Sequence, residues 1–439
     1  MKKYLALILG VLFVLSFAAS AFAIHSEIPA ETQAVVAKGD TQISLGGQLR
    51  VRGRYGDNMD GGLGGMPYDA NPATLLQERV RLNVEVNQGN VSGMISLQTK
   101  EENYMWGVTS TAGPNGSQRS DAMNVLEAWI NYTGTGLFGF SSGIKAGHQY
   151  LKVGAGHFFD HTLYGDDAIV LYMDPVKGTH IGLVNVKFSE GSAADNTDDI
   201  DGYVLILSQK LGDNNTLDAN YTLVNQSDTK LSLQNLGVSL KGAAAGLGYS
   251  VTGDVQFGST QPVAATEKTK YEGYALTAGV NYKANPVNLR AAVLYGSGDK
   301  NATDHKNRTF QTFQSSIGKY TLVYDYRVKT AATGASDTTG VANTTYFNLG
   351  LDYSPMAEMN INLDAWLLRA SNQISTVPHT VGYSKDIGWE VDAKFTYKLA
   401  KNLTYFWESG VLFADDFYKT ATKDPKNATF IQHGIVLNF

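Results

Sequence analysis

The sequence predicts an all-β fold: a transmembrane antiparallel up-and-down β-barrel of about 18 strands, with short periplasmic turns and long extracellular loops. Three features carry this expectation. Apolar and polar residues alternate in segments of ~10 residues that recur to the last residue. The connections between segments alternate between short and long. Beyond the amino-terminal run, no stretch approaches the ~18 consecutive apolar residues of a helical span.

Alternation is clear from the first segment. Ile43, Leu45, Leu49, Val51 and Tyr55 fall on one face, and Gln42, Ser44, Gln48, Arg50, Arg52 and Arg54 on the other. The next segment sets Val80, Leu82, Val84 and Val86 against Arg79, Arg81, Asn83, Glu85 and Asn87. Residues 41–439 show no composition shift, linker or charge run that would divide them, so they read as one barrel.

Short connections fall at 87–90, 211–215, 242–246, 283–286, 354–358 and 399–402. Long polar ones fall at 57–74, 103–121, 154–166, 258–269, 296–341, 371–384 and 414–427. In bacterial barrels short turns face the periplasm and long loops face outside, and with both termini periplasmic the strand number is even. The segment Ile317–Val328 (IGKYTLVYDYRV) has strand-like composition but would break that parity, so it is assigned, with Thr309–Phe313, to structure inside the longest loop. Tyr55, Tyr282, Tyr295, Tyr353, Tyr397 and Phe413 lie on the apolar face where strands should cross the membrane interfaces, as in an aromatic girdle.

The amino terminus has the order of a secretory signal peptide: Lys2 and Lys3, an apolar run from Leu5 to Ala18, and Ala21-Phe22-Ala23 before cleavage. This assigns 1–23 to the signal peptide, 24–40 to a periplasmic leader and 41–439 to the barrel. Without Lys2 and Lys3 the chain keeps 33 basic against 41 acidic residues, so its charge gives no reason to expect nucleic-acid binding. The absence of cysteine excludes lipoprotein anchoring and disulfides.

Ile431, His433, Ile435, Leu437 and the terminal Phe439 share one face. This ending resembles the outer-membrane signature read by the barrel assembly machinery. Together with Glu78-Arg79-Val80-Arg81-Leu82-Asn83, Ala146-Gly147-His148-Gln149, Thr309-Phe310 and Gly388-Trp389-Glu390-Val391-Asp392, it makes the chain similar to the outer-membrane porins that include alginate-export-type barrels. The resemblance implies a single-chain barrel in a Gram-negative outer membrane, surrounded by lipid and lipopolysaccharide, that passes solutes. The apolar outer face suits lipid or further copies of the chain.

If apolar residues face lipid, their alternates face the lumen, because a charge facing lipid at mid-membrane costs roughly 2–4 kcal/mol. Arg50, Arg52, Arg54, Arg79 and Arg81 then form a basic wall, and Glu85, Asp364, Glu390, Asp392 and Glu408 supply acidic lining. Opposed charge rows of this kind order water and pass small ions. His157, Asp160, His161, Asp166 and Asp167 are expected in a loop that folds inward and narrows the pore. Two histidines four apart come close enough to share a metal ion only on a helix, and Gly154, Gly156 and Gly165 argue for a loop, so no metal site is assigned. No G-x-S-x-G, H-E-x-x-H or C-x-x-C-H motif occurs, so neither catalysis nor a cofactor is expected. The functional expectation is a water-filled porin for diffusion of small hydrophilic solutes and ions. The alternative is a substrate-specific channel for uptake or export of a sugar, organic acid or polysaccharide.

Overall fold

The computed structural model describes residues 34–58, 72–99, 104–105, 123–137, 139–192, 197–262, 265–301, 303–315, 320–324, 341–373, 384–419 and 424–439. The signal-peptide assignment, 1–23, lies outside these residues. Eighteen antiparallel strands form the wall. They are β1 (Thr41–Asp57), β2 (Ala73–Gln88), β3 (Val91–Thr99), β4 (Met123–Leu137), β5 (Phe140–Gln149) and β6 (Asp166–Asp174). Next come β7 (Thr179–Ser189), β8 (Ile200–Leu211), β9 (Asn215–Gln226), β10 (Leu231–Ala244), β11 (Leu247–Thr260) and β12 (Tyr274–Ala284). The last are β13 (Val287–Gly296), β14 (Thr344–Met356), β15 (Met359–Ala370), β16 (Asp386–Ala400), β17 (Leu403–Ala414) and β18 (Ala428–Asn438). Each pairs with its sequence neighbour, and β18 closes the ring against β1 from Gln48↔Asn438 to Asp57↔Thr429.

Period two decides which residues meet which medium. Ile130 and Leu349 are each 66% exposed and Phe347 60%, while Thr222, Asn235 and Asp254 on the opposite parity are buried. Large apolar residues exposed around the whole wall match a surface solvated by hydrocarbon rather than water. The girdle residues named above all point outward, with Tyr274 stacked on Tyr295 and Trp389 on Phe413 near the long-loop end.

The short turns of the sequence reading lie at one end, together with Gly139 and the turn 175–178, Pro-Val-Lys-Gly, whose turn residues that reading passed over. Tyr320–Tyr324 lies inside the barrel and adds no strand to the wall, so the even count stands. The leader is not wholly irregular: Ala34–Lys38 forms a strand antiparallel to β1, from Ala34↔Leu45 to Lys38↔Thr41. Because β18 stops at Asn438, the edge of Thr41–Leu45 would otherwise be bare, and the short strand supplies its hydrogen bonds.

At the seam, Gly47 and Phe439 exchange two backbone hydrogen bonds of 2.6 and 3.0 Å. A Cβ on Gly47 would sit 2.4 Å from the Arg81 carbonyl oxygen and 2.7 Å from Phe439 Cζ. A backbone atom cannot rotate away, so Gly47→Val should cost about 1–3 kcal/mol or more. The expected outcome is a lower fraction of heat-modifiable, folded barrel on gels, whereas Gly136→Val, which meets nothing within 4 Å, should fold as the parent does.

Candidate functional site in the barrel lumen

The five arginines of the sequence reading all face inward on β1 and β2. The register sets Arg50 opposite Arg79, Arg52 opposite Gln77 and Gln48 opposite Arg81. Glutamine amides hold the guanidiniums. Arg52 Nε donates to Gln77 Oε1 (2.9 Å), Arg54 Nη1 to the same oxygen (3.3 Å), Arg81 Nε to Gln98 Oε1 (2.6 Å) and Arg79 Nη2 to Gln48 Oε1. A neutral amide fixes a guanidinium without cancelling its charge. Arg52, Arg54 and Arg79 are buried; Arg50 and Arg81 are half-buried. Arg52 Nη1 also donates to Gln432 (3.4 Å), which donates to Glu408, which lies 3.8 Å from Lys394 Nζ, so Glu408 joins the basic and acidic sides. Glu85 sits near the short-turn end, accepting from Asn87 Nδ2 (3.1 Å).

The charged arc continues past the predicted residues. Lys145 Nζ on β5 lies 4.0 Å from the centre of the Trp129 ring, and Trp129 Nε1 donates to Glu127 (3.0 Å). A register shift between Ser96 and Leu97 opposite β4 disturbs the alternation there, which hid these residues from a period-two reading.

β7 and β8 read Leu183-Val184 and Tyr203-Val204-Leu205-Ile206-Leu207, apolar on both faces. Such continuous runs belong to strands covered on both sides. The cover is the loop that follows β5. Within it Phe159–Asp160 pairs antiparallel with Lys152–Val153 and parallel with Gln314–Ser315 of the longest loop, giving a three-stranded sheet inside the lumen. Phe158 and Phe159 pack in one buried cluster with Ala168, Val184, Val186, Val204 and Val224, each phenyl worth about 1.5–3 kcal/mol. His157 Nδ1 reaches Asp254 Oδ2 on β11 (2.9 Å), far around the wall from β6. Asp160 meets Lys152 (3.3 Å) and Thr162 Oγ1 (2.7 Å), and His161 lies 3.0 Å from Asp166.

Two of these loop residues need correction. Asp166 and Asp167 begin β6 rather than belonging to the loop, since their pairing with Gln149 and His148 completes the ladder. Asp167, a strand residue one position from inward-facing Ala168, therefore points outward, 2.9 Å from His148 Nδ1 and 75% exposed. It does not line the lumen.

The long loop is anchored before it turns inward. Lys306–Asn307 pairs parallel with Lys270–Tyr271. Arg308 donates to Asp304 (2.7 Å), and this hydrogen bond holds the Asp304 carboxyl below the ordinary carboxylate range. Gln311 and Gln256 then exchange side-chain and backbone hydrogen bonds of 2.7 Å, and Phe313 N donates to Phe158 O (2.9 Å). Further on, Glu390 accepts from three successive amides, Leu322 (2.9 Å), Val323 (2.6 Å) and Tyr324 (2.8 Å). Asp392 accepts from Leu322 N (3.2 Å) and Trp366 Nε1 (3.0 Å).

The predicted acidic lining is therefore revised. Glu390 and Asp392 face inward but are fully covered by Tyr320–Tyr324. Asp364 is buried and paired with Arg290 Nη2 (3.1 Å), whose Nε also meets Asp352 (3.0 Å). Buried carboxylates require donors. Here a loop backbone and Arg290 supply them; Arg290 was missed because a lone arginine among β13 apolar residues gives no pattern.

Residues 186–432, more than half of the chain, match the alginate export family. A sequence search of curated proteins finds no match. Among solved structures, the fold is similar to three outer-membrane proteins of Pseudomonas aeruginosa. OprD is 9% identical with a TM-score of 0.56, the alignment covering 90% of this chain and 94% of OprD. OpdL is 12% identical with a TM-score of 0.56, covering 90% and 98%. OccK9 (OpdG) is 11% identical with a TM-score of 0.56, also covering 90% and 98%. With the closed wall, its hydrocarbon-facing band and the match over most of the second half of the sequence, the chain is an outer-membrane β-barrel that belongs to the alginate export family.

Proposed function

We propose that the protein is a non-enzymatic channel for small hydrophilic solutes whose conduction path follows the β1–β5 arc and favours anions. The observation that carries this reading is the placement of Arg50, Arg52, Arg54, Arg79 and Arg81 on one inner arc, while two loops seat themselves on the walls that flank it. A basic lining concentrates anions and repels cations. The inward loops favour a narrow, selective channel over a wide diffusion pore, and they occupy space that an exported polysaccharide chain would need. Organic acids of a few carbons fit this reading better than polyuronates.

Liposome swelling separates these classes. Vesicles carrying the purified protein should swell faster in a small organic acid than in a neutral sugar or an amine of equal size. Equal rates for all three would reduce the protein to a general pore, and no swelling in any would remove the channel reading.

A further inference from the structure

We infer that Tyr320–Tyr324 is a latched gate, and that Glu390 and Asp392 are its catch rather than part of the permanent lining. The inference rests on the channel reading above, and three observations support it. First, the segment is held to β16 by four amide hydrogen bonds to two side chains that lie side by side on the inner face, Glu390 and Asp392. Such contacts can be exchanged for water without touching the ladders that hold β16 to β15 and β17. Second, the wall is shaped to receive the segment. A Cβ on Gly410 of β17 would lie 2.5 Å from Asp392 Oδ1 and 3.0 Å from both Leu322 Cβ and Val323 Cγ2, so the glycine leaves room both for the Asp392 carboxylate and for the notch into which Leu322 and Val323 fit. Third, the Tyr320 ring packs at a tilt against Tyr346 (centroids 4.6 Å apart) and Trp366 (5.5 Å), and Tyr324 Oη meets Thr344 Oγ1 (2.8 Å), so the docked position is defined by shape as well as by charge.

Release has a consequence that simple loosening of a loop would not have. With the segment docked, Glu390 and Asp392 are covered and the arginines dominate the lumen. With it undocked, two carboxylates join Glu408 on the wall beside the arginines. The channel then becomes wider and less anion-selective in one step, because the same side chains that fasten the gate are the charges it hides. The three-stranded lumen sheet links this loop to the one after β5, so both walls sense the change.

The test uses the absence of native cysteine. Leu322→Cys with Gly410→Cys places two thiols within a small adjustment of disulfide geometry. Oxidised, the pair should give a single conductance level with full anion preference. Reduced, the added side chain in the notch should populate a second level about twofold higher, with a lower anion-to-cation permeability ratio. Identical conductance and reversal potential in both redox states would overturn the gate. A second readout does not depend on conduction. Val323→Cys, fully buried when docked, should react with a charged maleimide at least about tenfold faster when Glu390→Gln is added, since burial limits thiol reactivity. Equal rates would overturn the latch even if the protein conducts nothing, whereas accelerated labelling without conduction would keep the latch and remove the channel.

Discussion

Replacing Arg50 and Arg81 by glutamine is expected to move the reversal potential across a salt gradient toward cation preference. These are the half-buried members of the basic wall, the ones nearest to passing ions. In the water-filled lumen, at a dielectric of ~80, a charge ~10 Å from an ion contributes about 0.4 kcal/mol, favourable to an anion and unfavourable to a cation. Losing two such charges should lower the anion-to-cation permeability ratio by about tenfold in dilute salt. The shift should shrink toward 1 M salt, where the Debye length falls to ~3 Å. The triple variant Arg52→Gln, Arg54→Gln and Arg79→Gln should shift the potential less and destabilise the wall more, because those guanidiniums are buried in the glutamine network. A double variant that keeps the parent reversal potential in dilute salt would assign the arginines to structure alone.

Phe158→Ala with Phe159→Ala should raise unitary conductance while leaving the barrel folded. Both rings are buried against the inner faces of β6–β9, and each truncation removes about 3–5 kcal/mol of packing. That loss falls on the seat of the inward loop, not on the wall, whose ladders do not involve these residues. Recordings should show larger and noisier openings, with heat-modifiable gel migration unchanged. Parent conductance with a lowered unfolding temperature would mean instead that the loop braces the barrel without narrowing it.

Wall and interior differ in how far the sequence discloses them, and the physics explains the difference. A strand between lipid and lumen must alternate, so Arg79-Val80-Arg81-Leu82 declares both its conformation and its inward face. Loop asymmetry likewise reveals topology, and the parity of an even barrel is what sets Ile317–Val328 off the wall in the sequence. Contacts across the lumen obey no local period. That His157 reaches Asp254, or that Leu322–Tyr324 amides cover Glu390, depends on residues 66 to 97 positions apart. Alternation therefore identified Glu390 and Asp392 as inward but could not show that they are covered. It also grouped Asp167 with the inward loop, because only the pairing with His148 reveals where β6 begins. The both-face apolar runs of β7 and β8 were the available signal that something packs inside.

The most direct test of a channel along the arginine arc is a planar-bilayer recording of the purified, unmodified protein. In a gradient of potassium chloride the account predicts stepwise insertion of persistently conducting units with an ohmic current near zero voltage. Their reversal potential should lie on the chloride side. A folded barrel that inserts without conducting, or one whose reversal potential lies on the potassium side, would contradict it.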